Sequence, residues 1–167
     1  MSVRWQVCLH ESGHVVAASV LLNDERGAAV VFSGGGLAFI DVPDPLCTFN
    51  QAMAIAAGHA AESLAETNAP PQETPAPAAV VREDAPKGQS AHATLMADLK
   101  ASRPDADRIA AWCILNHPKD PDRWKSRYVW LHREAGLFVR NHAAEIVNLA
   151  SRLYAGGIVT LNKETCK

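Results

Sequence analysis

Cys8-Leu9-His10-Glu11-Ser12-Gly13-His14-Val15-Val16-Ala17 is the stretch that decides how this chain is read. It embeds an H-E-x-x-H pentapeptide in an apolar run with a helical pattern. On a helix the two histidines stand at i and i+4, so both imidazoles leave one face a turn apart. That spacing can bring two ring nitrogens to one tetrahedral Zn2+. Glu11 directly follows the first histidine and projects beside the metal, where a carboxylate can take a proton from a water the metal activates. His10 and His14 are therefore the expected metal ligands, and Glu11 the expected catalytic base. A plain helix with two partly buried histidines is the competing interpretation, and the flanks weigh against it.

Working outward, Val7, Cys8 and Leu9 precede the motif, and Val15, Val16, Ala17, Ala18, Val20, Leu21 and Leu22 follow it. Few of these positions suit water, so the helix is expected to be buried along most of its length. A metal-binding helix has to be held rigidly. Gly13 fits that need, because a missing side chain lets a neighbouring segment come close despite the cost of glycine in a helix. Asn23-Asp24-Glu25-Arg26-Gly27 then makes a polar turn that ends the helix. The motif begins ten residues from Met1, so no secretory signal or preceding domain is expected.

A length of 167 residues suits one domain, spanning 1–167, with a real core. The formal net charge of −2 is unevenly spread: residues 1–99 hold 4 Lys/Arg against 11 Asp/Glu, and residues 100–167 hold 12 against 7. Such asymmetry reads as two solvated faces of opposite sign. The basic residues are interleaved with acids and carry no nucleic-acid-binding motif, so no nucleic-acid partner is expected. Cys8, Cys47, Cys113 and Cys166 are widely spaced, without a C-x-x-C, and read as reduced, mostly buried thiols of a cytoplasmic protein. No apolar run reaches membrane-spanning length, and no membrane segment is expected.

After the metal helix, Ala28–Phe32 and Leu37–Val42 are short β-like runs joined by Ser33-Gly34-Gly35-Gly36 as a hairpin turn. An edge strand there could hold an extended substrate by adding it to the sheet. The glycines precede a strand and no Lys-Ser/Thr follows, which speaks against a phosphate loop. Phe49 to Glu66 reads as a second helix, with Glu62 and Glu66 a turn apart near its end and His59 as a packed or capping residue. Thr67 to Gln89 carries five prolines and reads as a loop over the surface. Ser90 to Ser102 reads as a third helix. Pro104 opens a fourth, with Asp105 and Asp107 in a first turn that favours acids. Longer helices follow over about 122–141 and 143–154, and then the short run 158–161. The expected fold is mainly α (α+β), with one small sheet beside the metal helix.

In that order of segments the chain resembles the peptidase domain of the FtsH family of ATP-dependent zinc proteases. Cys8 to Ala17 looks like the family's H-E-A-G-H helix. Ala57-Gly58-His59-Ala60-Ala61-Glu62-Ser63-Leu64 is similar to its G-G-R-A-A-E-E-L segment, with His where Arg is usual. His142-Ala143-Ala144-Glu145-Ile146-Val147, with Leu149-Ala150, Leu153-Tyr154 and Gly157-Ile158-Val159-Thr160, looks like its final helix and ending. The first motif is specific and the other two are loose. The resemblance implies a zincin-like helical domain. It also implies a third zinc ligand, an Asp at a helix start, since two histidines alone leave the ion under-coordinated. Asp105 is the best match; Asp98, Asp107 and Glu62 are the alternatives. Two features depart from the family: there is no G-x-x-x-x-G-K-[ST], so the chain lacks the ATPase, and the Pro-rich insertion is foreign to the pattern.

The expected function is metallopeptidase hydrolysis with Zn2+ as cofactor and a peptide or unfolded protein as substrate. A homo-oligomer or a separate ATPase is the expected partner. The alternative, from another class, is a catalytically degenerate peptidase fold used for binding or regulation.

Overall fold

Residues 2–25, 27–32, 35–71 and 104–160 are described by a computed structural model. The expected helix at 90–102, Asp98, most of the Pro-rich stretch and Cys166 lie outside the described residues. Helix α1 (Val3–Leu22) carries the pentapeptide in its middle turns, and the unbroken run from Glu11 to Ala18 is buried. A helix apolar on all sides must be covered on all sides. Here α2 (Phe49–Ala61), α5 (Ala143–Gly156) and the strands β1 (Ala28–Phe32) and β2 (Gly35–Phe39) surround it. Asn23 takes the left-handed conformation (φ 56) and ends α1, as the polar turn suggests.

The closest approach is at Gly13. A Cβ there would lie 2.6 Å from the Ala57 carbonyl oxygen and 2.8 Å from the Ala61 Cβ. Only glycine lets α2 lie this close against α1. Thr48 starts α2 with a reciprocal cap: its hydroxyl accepts from the Gln51 N–H at 3.2 Å, and the Gln51 side chain accepts from the Thr48 N–H at 3.0 Å. The expected single helix to Glu66 is α-helical only to Ala61 and then tightens into a 3-10 turn over Glu62–Glu66. The Leu64 carbonyl there receives the backbone N–H groups of Thr67 and Asn68 and the Asn68 side-chain amide, which closes the end of the helix.

β1 and β2 pair antiparallel, from Ala28↔Phe39 to Phe32↔Gly35. The second strand therefore starts two residues earlier than its apolar letters suggest. Gly35 and Gly36 pair in the ladder, and the strand ends at Phe39. β3 (Ile158–Thr160) pairs with the other side of β1, giving the order β2-β1-β3 and leaving β2 as an edge among the described residues.

Three helices complete the fold: α3 (Asp105–Asn116), α4 (Pro121–Asn141) and α5. Each turns an i, i+3, i+4 face inward: Ile109, Trp112 and Cys113; Leu131, Ala135, Phe138 and Val139; Ile146, Leu149, Ala150 and Leu153. α3 and α4 pack on α2, and α5 on α1. All these residues join one core cluster with Trp5, Leu9 and Ile55. The protein is mainly helical with a small three-stranded antiparallel sheet, as its periodicity suggests. Among the described residues no helix is long and apolar enough to cross a membrane. Cys8 and Cys113 are buried free thiols, and burial holds the Cys8 thiol up at about 11; Cys47 is exposed.

Candidate metal centre

Three donor atoms converge where α1 meets α3. His14 Nε2 lies 3.0 Å from His10 Nε2 and 2.9 Å from Asp105 Oδ2, and His10 Nε2 lies 3.3 Å from the same oxygen. The sequence explains each position. The histidines share a face of α1 by their i, i+4 spacing. Asp105 precedes Ile109 by one turn, so the face of α3 that buries Ile109 and Trp112 also turns Asp105 inward. Asp107, two residues on, is exposed and has no ion pair with either histidine.

The donor set fits a tetrahedral cation. An ion about 2.0–2.2 Å from nitrogen and oxygen ligands needs those atoms roughly 3.3 Å apart; the His10–Asp105 spacing of 3.3 Å matches and the other two, 3.0 and 2.9 Å, fall a few tenths short. The far side of each ring is already engaged. His14 Nδ1–H donates to the Ala54 carbonyl at 3.0 Å, and His10 Nδ1–H donates to Glu62 Oε1 at 2.7 Å. A carbonyl can only accept, so Nδ1 of His14 carries a hydrogen, and Nε2 is the nitrogen that faces the centre. Gly58 makes room for this ring: a Cβ there would lie 2.3 Å from His14 Nε2 and 2.4 Å from its Cε1.

The electrostatics also suit a positive charge at the centre. Burial lowers the His10 imidazole, but Asp105, Glu11 and Glu62 outweigh it and hold the group up at about 9. Burial raises the Asp105 carboxyl, yet the two imidazoles hold it well below the usual carboxylate range. Glu11 is buried, and burial is the main cause that pushes its carboxyl up; His14, His10 and the Ala38 N–H pull it back. A buried carboxyl raised in this way, beside two histidines and an aspartate, is a candidate functional group.

A cleft of about 250 Å³ opens over these residues, walled by Gly36, Leu37 and Ala38 of β2, by Ile55, and by Pro104 and Arg108. A Cβ on Gly36 would lie 2.7 Å from Glu11 Oε1, so the strand lies directly against the carboxylate. Val31 N–H donates to the Gly157 carbonyl at 2.8 Å, on the β3 side. Its β2 partner Gly36 therefore directs its N–H and C=O away from β1, along the free edge. Ala38, two residues on, faces the same way and gives its N–H to Glu11.

All four expected site residues, His10, Glu11, His14 and Asp105, line this one cleft. Glu62 is the partner of His10 and stands outside the three-atom centre. His59 is less simple. Its ring lies 5.0 Å from that of His10, and the set His10, His59 and Asp105 could also hold an ion, with donor atoms within 4.8 Å of one another. His14 makes the tighter set, because its donor lies within 3.0 Å of both others and its ring is locked from behind. Sequence reading passes over Gly58, Gly36, the Ala54 carbonyl and Arg108. Only Arg108 leaves a signal, since it follows Asp105 by three residues on a helix. No family model and no curated protein matches this sequence.

Proposed function

We propose that the chain is a zinc-dependent peptidase of the FtsH type, hydrolysing peptide bonds. The observation that carries the reading is the convergence of His10 Nε2, His14 Nε2 and Asp105 Oδ2 within 3.3 Å beside a buried Glu11. His10, His14 and Asp105 would hold the ion. Bound there, zinc supplies Lewis-acid activation of water and of the scissile carbonyl.

The protein's own groups do the rest. Glu11 takes a proton on its carboxylate and passes it to the leaving amine, held in place by the Ala38 N–H. Glu62 and the Ala54 carbonyl fix the two imidazoles so that Nε2 faces the ion. The free edge of β2 receives an extended peptide through the Gly36 N–H and C=O, which lays its backbone across the cleft. A peptide or unfolded chain fits such an edge, because its backbone groups are free to pair along it. A separate ATPase would supply unfolded substrate.

Glu11→Gln tests the mechanism. The variant is expected to keep its zinc and to lose cleavage of unfolded casein by at least about a hundredfold, the lower range of a positioned general base. Cleavage at the parent rate by a zinc-loaded Glu11→Gln would rule the mechanism out.

A further inference from the structure

Arg108 stands in the wall of the cleft, one turn beyond Asp105 in α3. Its Nη2 donates to the carbonyls of Val42 and Pro43, at 3.3 and 3.2 Å, which fastens the guanidinium to the chain leaving β2. Its Nε is buried and has no hydrogen-bond partner among the described residues. None of the ion pairs among the described residues involves it. The two carboxylates that share its cleft are engaged elsewhere: Asp105 by the imidazoles and Glu11 by the Ala38 N–H. Leu37, Ile40, Ile55 and Pro104 make much of the remaining wall apolar. A guanidinium in such surroundings calls for a counter-charge, and its planar fork matches a carboxylate.

A second chamber of about 300 Å³ adjoins the first. It shares His10, Glu11 and Gly36 with it but contains Glu62 and Gln6 instead of Arg108. Arg108 thus lines the first chamber and not the second, and Glu62 the second and not the first. Resting on the peptidase reading, we propose that Arg108 is a specificity-determining residue that receives a carboxylate of the substrate. Two sources share this chemistry, an acidic side chain and the α-carboxylate of a chain end. Arg108 holds the carbonyls just past the C-terminal end of β2. A peptide laid antiparallel on that strand puts an acidic side chain at Arg108, on the N-terminal side of the cleaved bond. A terminal α-carboxylate arrives there only from a chain laid parallel.

Fluorescence anisotropy of the zinc-loaded Glu11→Gln protein tests the proposal with three labelled peptides of equal length. One carries Glu and an amidated C-terminus, one carries Gln and a free C-terminus, and one carries Gln and an amidated C-terminus. The Glu peptide is expected to bind about tenfold tighter than the neutral one, the scale of one charge-assisted pair. Tighter binding of the free-terminus peptide instead would keep the carboxylate site and name the α-carboxylate as its ligand. Adding Arg108→Glu should remove the preference, and Arg108→Lys should retain part of it, which covers any loosening of residues 42–43 by charge reversal. Equal affinity for all three peptides, or a preference unchanged by Arg108→Glu, overturns the proposal. Cleavage by the parent protein separates the two readings. Peptides cut without carboxylate preference defeat this inference alone, and selective binding without any cleavage defeats the peptidase reading alone.

Discussion

Gly58 has no chemistry of its own, yet the His14 ring fills the space that any side chain there would need. Alanine would gain about 1 kcal/mol of helix propensity. It would also drive a methyl group into a ring held by the Ala54 carbonyl, and overpacking of this kind costs about 1–3 kcal/mol. Gly58→Ala is therefore expected to lower zinc content well below that of the parent, because His14 has to move. Zinc retained at the parent level would show that the ring does not need this space. Glu62 acts from one shell further out. Glu62→Gln should weaken zinc binding about 10–100-fold in a chelator competition and leave thermal stability nearly unchanged, since the carboxylate only orients His10. His10, Glu11 and His14 were legible because one short window of a single helix carries all three. Asp105 was legible only through the family resemblance, which asks for an Asp at a helix start, and three other acids competed with it. Gly58 and the Ala54 carbonyl were not legible, because their roles exist only once α2 lies against α1.

At the scale of elements, the contact between α1 and α2 fixes the site. Gly13→Ala would place a methyl carbon 2.6 Å from a backbone oxygen, which cannot swing aside as a side chain could. The helices must separate, so the expected loss is about 1–3 kcal/mol of stability despite the better helix propensity. Denaturant unfolding measures this, and an unchanged midpoint would mean that the two helices tolerate the added bulk. α5 supports α1 on another side, through the fully buried Leu153 among others. Leu153→Ala should cost about 2–5 kcal/mol, read in the same experiment. The longer helices were readable from their apolar period, and Asn23 and Gly157 mark helix ends with positive φ. The start of β2 was misread, because Gly35 and Gly36 look like turn residues and take part in the ladder. The 3-10 turn after Ala61 was also missed, since the Leu64 carbonyl that gathers the chain there has no sequence signature.

At the scale of the whole molecule, the centre joins parts of the chain that are far apart in sequence. His10 and Asp105 are separated by 95 positions. A cation held by both links α1 to α3 and binds only the folded state. Zinc at about a hundred times its Kd should add about 2.7 kcal/mol of stability, a rise of roughly 5–10 °C in Tm for a chain of this size. A chelator should reverse it, and a Tm indifferent to both would mean that no ion ties the two helices. The most direct test of the central claim is zinc content per chain, measured side by side for the parent, Asp105→Ala and His59→Ala. The account predicts close to one zinc in the parent and in His59→Ala, and almost none in Asp105→Ala with the fold intact, since a first-turn acid contributes only about 1 kcal/mol to stability. Full zinc in Asp105→Ala together with loss in His59→Ala would contradict it.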